Sequence, residues 1–149
     1  MRIMTLVYTN KATGWDLKPL SFDQLTLLVG ASGVGKTRIL ESILDLKKIA
    51  RGSGLNGVKW SVEFVSALNN TFTWEGEFEN KGFLSENIFD HDDDDEKEKP
   101  RIECEKVIVN GEVVVERNSD GILFNRVKTV KLPQSESVIS LLKEEDQIK

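Results

Sequence analysis

Cysteine and histidine are nearly absent from this chain of 149 residues, which holds only Cys104 and His91. One cysteine excludes an intrachain disulfide, and a single histidine beside it leaves too few ligands of these types for a zinc site. A Cys/His catalytic pair would require these two residues to meet across the chain. Positive charge is also in short supply. Lys and Arg total 20 against 25 Asp and Glu, a net charge of −5, which argues against wholesale electrostatic binding of nucleic acid. No apolar run approaches the roughly 20 residues that span a bilayer. The opening Met1-Arg2-Ile3-Met4-Thr5-Leu6-Val7-Tyr8 lacks a signal-peptide layout and reads as a strand. The expectation is a cytoplasmic protein without a membrane segment. What remains is a globular composition, 39% hydrophobic and 30% charged, of single-domain length.

The chain divides by pattern into three stretches. Residues 1–57 hold an apolar run at 3–8, a turn-rich segment over 9–16, the run Leu17–Phe22, and Gln24-Leu25-Thr26-Leu27-Leu28-Val29. That last run is continuous rather than alternating, which predicts a strand covered on both faces. Ile39, Leu40, Ile43 and Leu44 recur at helical spacing and predict a helix over 36–49, with Lys47 and Lys48 in its last turn and Gly52 as a stop. Residues 58–132 alternate apolar and polar side chains, as in Phe72-Thr73-Trp74-Glu75, and predict antiparallel strands. Their turns are Asn69-Asn70, Asn110-Gly111 and Asn118-Ser119-Asp120, the second being the strongest hairpin signal in the chain. Within this region, 90–100 is an acidic solvated loop, because like-charge blocks repel. Its consecutive carboxylates lack the alternate spacing of a calcium loop. Residues 133–149 read as a loop followed by a helix from Ser135 to Asp146.

One motif carries chemistry. Gly30-Ala31-Ser32-Gly33-Val34-Gly35-Lys36-Thr37 matches G-x-x-x-x-G-K-[ST] in full, after an apolar run and before an amphipathic helix. In such a loop the glycines let successive N–H groups turn toward one centre, and the helix start adds its positive dipole end. Lys36 reaches the β- and γ-phosphates of ATP, the Thr37 hydroxyl ligates Mg²⁺, and Arg38 borders the same phosphates. Hydrolysis also needs an acidic residue closing an apolar strand. No run of four apolar residues ending in Asp follows the helix, so the machinery in this chain is half of a site.

The order of strand, turn, strand, P-loop, helix and antiparallel region resembles the N-terminal lobe of ABC-type ATPases of the SMC, RecF and OLD kind. The resemblance implies an α/β P-loop NTPase fold, with a mixed sheet around the P-loop helix and an antiparallel β-subdomain. It implies a glutamine that touches Mg²⁺ and the attacking water. Gln134, ending Thr129-Val130-Lys131-Leu132-Pro133-Gln134, is the candidate, with Gln147 as the alternative. The family's signature loop, acidic strand and switch histidine have no counterpart here; Ser53-Gly54-Leu55-Asn56-Gly57 sits too early, and His91 lies in the acidic loop. A split enzyme, completed by a lobe on another chain, or a shortened chain would account for this. The resemblance further implies an oligomeric complex in DNA repair or anti-phage defence, similar to PtuA-like ATPases, beside a nuclease subunit and with nucleic acid reached through the complex. A self-sufficient small P-loop kinase and a non-catalytic ATP-binding assembly module are the alternatives.

Other residues carry two readings each. Trp15 either stacks on the adenine or packs beneath the helix. Lys11 and Lys18 either contact phosphate or are solvated. Trp60 and Trp74 read as sheet-packing residues, Cys104 as an inert thiol between two acids, and Arg126 and Lys128 as a strand face.

Overall fold

The computed structural model describes residues 1–82, 99–128 and 132–139. His91, most of the acidic loop, Lys131, Gln147 and the expected helix beyond residue 139 lie outside the described residues. Among the described residues, eight strands and one helix occur in the order β1 (Arg2–Asn10), β2 (Trp15–Ser21), α1 (Lys36–Ile49), β3 (Val58–Val65), β4 (Thr71–Phe78), β5 (Ile102–Val109), β6 (Glu112–Asn118), β7 (Gly121–Phe124) and β8 (Val127–Lys128). The strands form one sheet in the order β2-β1-β3-β4-β5-β6-β7-β8, and every pairing in it is antiparallel.

The period-two alternation is what builds this sheet. Successive side chains point to opposite faces, so one parity of each strand is buried and the other meets solvent. The pairing aligns the buried parities into rows: Leu6, Val62, Trp74, Val107, Val115 and Phe124 stand opposite one another across six strands. The adjacent row runs Tyr8, Trp60, Gly76, Glu105, Arg117 and Ile122. Gly76 is required there, because a Cβ on it would stand 2.6 Å from Cζ2 of the Trp60 indole. Trp60 uses that space to meet Trp74 edge-on at 5.2 Å and Phe78 at 5.4 Å. The Asn110-Gly111 hairpin forms as expected, with φ of 51° and 86°, the geometry that matches the strand twist. Asn125 and Arg126, at φ 47° and 65°, close β7 onto β8, so Arg126 lies in a turn rather than on a strand face.

The covered face is closed by α1 and by residues 132–139. Leu46 and Ile49 of α1 and Val138 and Ile139 of the later segment join the same apolar cluster as the strand residues. The outer face carries Lys59, Glu75, Glu77, Cys104 and Lys106, with Lys11 and Lys59 both paired to Glu77. Edge strand β2 carries Lys18 and Pro19, both exposed, which discourages further pairing at that edge.

The antiparallel region expected over 58–132 is present as β3–β8, but the expected α/β P-loop NTPase lobe with a mixed sheet is not. Among the described residues this is a small all-antiparallel sheet with one helix. Gln24–Val29, expected as a strand covered on both faces, pairs with nothing among the described residues. Leu25, Leu27 and Val29 are 89%, 80% and 77% exposed. The reason is topological. β1 and β2 close a hairpin and β3 takes the other side of β1, so both sides of β1 are filled, and the open edge of β2, which carries Lys18 and Pro19, is not taken up by 24–29.

Candidate phosphate-binding site

The site is built where the bare segment meets α1. Gly30, Gly33 and Gly35 adopt φ of 153°, 84° and 97°, a region that β-carbons disfavour. A Cβ on Gly33 or Gly35 would meet open space, so backbone conformation is what calls for glycine at those two positions. Gly35 is the N-cap of α1, makes no side-chain cap bond, and no acidic residue follows in the first turn. The helix start therefore keeps its donors and its positive dipole end unopposed by a local carboxylate.

Ser32, Gly33, Gly35, Lys36, Thr37 and Arg38 line a cleft of about 270 Å³. Lys36 folds back across the loop, its Nζ donating to the carbonyls of Gly30 and Ala31 at 2.6 Å each. A lysine in this position supplies positive charge to the mouth of the cleft. The Thr37 side chain is solvent-facing at the first turn, and its hydroxyl is available as one oxygen ligand to a cation. Val34 stands 63% exposed on the rim. The sequence motif from Gly30 to Arg38 is thus brought together as one local unit, as its contiguity requires.

Gln134 is not brought to it. Its backbone carbonyl accepts from the Ile102 N–H at 2.8 Å and from Arg117 Nη1 at 3.3 Å. The Glu136 side chain approaches to 3.6 Å of the place a Cβ on Gly52 would occupy, just beyond the C-terminal end of α1. A helix of 14 residues spans about 21 Å, so Lys36 and Gln134 lie toward opposite ends of α1. The glutamine expected from sequence to touch Mg²⁺ does not line this cleft in this arrangement.

What anchors the segment around Gln134 is a pair of buried ionisable residues, Glu105 and Arg117, that sequence reading passed over. Glu105, 1% exposed, accepts from Trp74 Nε1 at 2.8 Å, from the Val138 N–H at 2.9 Å and from the Ser137 hydroxyl. Burial raises its carboxyl above the usual range, opposed by those three bonds and by the charge of Arg117. Arg117 is 5% exposed, and its Nε and Nη2 have no hydrogen-bond partner among the described residues. The signal was there to read: Glu105 shares the parity of Val107 and Val109, and Arg117 that of Val113 and Val115.

A second cavity, about 210 Å³, lies between α1 and the first hairpin, lined by residues that include Tyr8, Trp15, Arg38, Glu41 and Asp45. Arg38 lines both cavities. Tyr8 donates its hydroxyl to Asp45 Oδ2 at 2.8 Å, and burial with the Asp45 charge holds the phenol protonated far above its ordinary range. Trp15 stands 5.6 Å from Tyr8, ring to ring, half-buried on the cavity wall. Lys11 and Lys18 are engaged elsewhere, by Glu77 and Asp16. The Cys104 thiol is pushed up by partial burial and by Glu77, which keeps it protonated.

No helix among the described residues is long and apolar enough to cross a membrane. No family model, no curated protein and no solved structure matches this chain.

Proposed function

We propose that the chain is the phosphate-binding half of an ATPase, which holds Mg²⁺-ATP at Gly30–Thr37 and turns it over only when a second lobe on another chain completes the site. The observation that carries this reading is the loop itself: glycines in left-handed backbone conformations, an uncapped helix start, and the Lys36 ammonium held over the cleft by two carbonyls. Lys36 exchanges those carbonyls for phosphate oxygens, and the loop N–H groups orient the triphosphate. The Thr37 hydroxyl supplies one protein ligand to the cation, which neutralises charge between the phosphates when bound. Trp15 and Arg38, on the adjoining cavity, fit the base and sugar side. Groups that activate water come from the second lobe, and Gln134 is left out of the chemistry. From the ABC-type resemblance we take the further proposal that the assembled enzyme serves DNA-directed or anti-phage defence, with a nuclease as a partner class.

Titration calorimetry of the purified chain with Mg²⁺-ATP tests the reading. The expected result is binding without turnover, with Lys36→Ala weakening affinity by about a hundredfold or more, as loss of a charge-assisted contact to phosphate should. Unchanged affinity in Lys36→Ala removes the phosphate site. Rapid turnover by the isolated monomer removes the requirement for a second lobe.

A further inference from the structure

Exposed large hydrophobics are unevenly spread over the described residues. Six of the ten, Leu25, Leu27, Val29, Val34, Leu40 and Leu44, fall between positions 25 and 44. Monomeric domains seldom gather apolar side chains in this way without a partner. Two further observations define what kind of partner.

The first is the backbone of Gln24–Val29. Among the described residues it makes no main-chain hydrogen bond to another main-chain group, and the bond seen in this stretch runs from the Asp23 N–H to the Thr26 hydroxyl. An apolar segment with open N–H and C=O groups is a template for another strand. The second is the outer face of α1. Ser42, Leu46 and Ile49 bury one face of the helix. At 100° per residue, Leu40, Leu44 and Lys47 fall on the opposite face, and all three are exposed, as is Arg51 in the turn just past the helix end. The acidic residues of α1 lie elsewhere: Glu41 lines the Trp15 cavity, and Asp45 is held by Tyr8 and Lys48. The outer stripe is therefore apolar in the middle and purely basic at its C-terminal end.

We infer that this surface, Gln24–Val29 with the Leu40–Leu44 stripe of α1, receives a second, different polypeptide. That polypeptide adds a β-strand beside 24–29 and lays an apolar surface with acidic groups opposite Lys47 and Arg51. A second copy of this chain fits poorly, because an isologous contact on this stripe sets basic groups against basic groups. The inference deepens the half-site reading and rests on it for one point, that the occupant is the completing lobe. Because the surface flanks the phosphate loop on both sides, its occupant also borders the bound nucleotide.

The test places a photo-crosslinking residue at position 27 or 40 of the full chain, expressed in its native host, with position 63 on the outer sheet face as control. Cross-linked peptides are identified by mass spectrometry. The expected result is that positions 27 and 40 both capture one identified polypeptide, through a segment bearing apolar and acidic residues, while position 63 does not. Leu27→Asp, and separately the double reversal Lys47→Glu with Arg51→Glu, should each lower recovery of that polypeptide about tenfold, the loss of a central interface contact. Cross-links to a second copy, to this chain's own residues, or to nothing overturn the inference. The Lys36→Ala chain is run in parallel. Cross-links that persist there, when calorimetry finds no ATP binding by the unaltered chain, separate failure of the ATPase reading from failure of the surface.

Discussion

The covered face of the sheet, built largely of valine and aromatic residues, and the segment leading into α1, built largely of leucine, are both apolar, yet they end in opposite states. On the sheet, Leu6, Trp60, Val62, Phe72 and Val107 are at most 3% exposed, because antiparallel neighbours satisfy each backbone and α1 covers the row. Two loops away, Leu25, Leu27 and Val29 keep more than three quarters of their surface. Hydrophobicity alone did not decide between these outcomes. The difference is the supply of pairing partners: hairpins bring their own, one turn away, whereas a strand that must pair with something distant in sequence, or on another chain, stays bare until that something arrives.

That contrast is broken most severely in the covered layer. Trp60→Ala should cost about 3–5 kcal/mol, since it empties a buried indole site; urea denaturation that moves the stability by less than about 1 kcal/mol would mean the aromatic row is not the core. Glu105→Ala should cost about 1–3 kcal/mol for each buried donor it leaves without an acceptor, Trp74 Nε1 and the Val138 N–H first among them, and hydrogen exchange should show faster exchange of the Val138 amide. Gly76→Ala should cost about 1–3 kcal/mol by overpacking against Trp60, and the double variant with Trp60→Ala should recover part of that loss.

The same carboxylate sharpens the comparison through pH. Glu105 has its folded-state value raised above the ordinary carboxylate range, so over the window between the two values the folded protein keeps a proton that the unfolded chain releases. The contribution of Glu105 is therefore fully favourable below the ordinary value and is lost as pH rises through the raised one. Relative to Glu105→Gln, the unaltered chain should gain stability as pH falls through that window; a gap that is flat or narrows on acidification contradicts the assignment. The smallest effect belongs to the bare segment. Leu27→Asp should leave thermal stability within about 0.5 kcal/mol, where Val62→Asp on the covered face should prevent folding. A large loss from Leu27→Asp would mean that 24–29 is already packed.

Much of the layout was legible. Hairpin turns and strand parity follow from nearest-neighbour sequence, and so did Asn110-Gly111 and the packing roles of Trp60 and Trp74. The helix over 36–49 came from its own periodicity, and the loop from Gly30 to Thr37 is contiguous, so its residues had to meet. Where Gln134 stands was not legible, because its position depends on what anchors the segment around it. That anchor, Glu105 with Ser137 and Val138, joins residues more than thirty positions apart.

By itself, then, the sequence determined the local units: which stretches are strands of one-sided sheet, where they turn, where the helix starts, and that a glycine-rich loop with a lysine precedes it. These depend on dihedral preference and on side-chain periods of 2 and 3.6, both local properties. The tertiary structure alone decided that the described strands pair only antiparallel, that Glu105 and Arg117 lie buried among them, that Gln134 stands toward the far end of α1 from Lys36, and that an apolar run remains uncovered. Each of these is a matter of which distant segment competes for the same face, and no local period encodes the outcome of that competition.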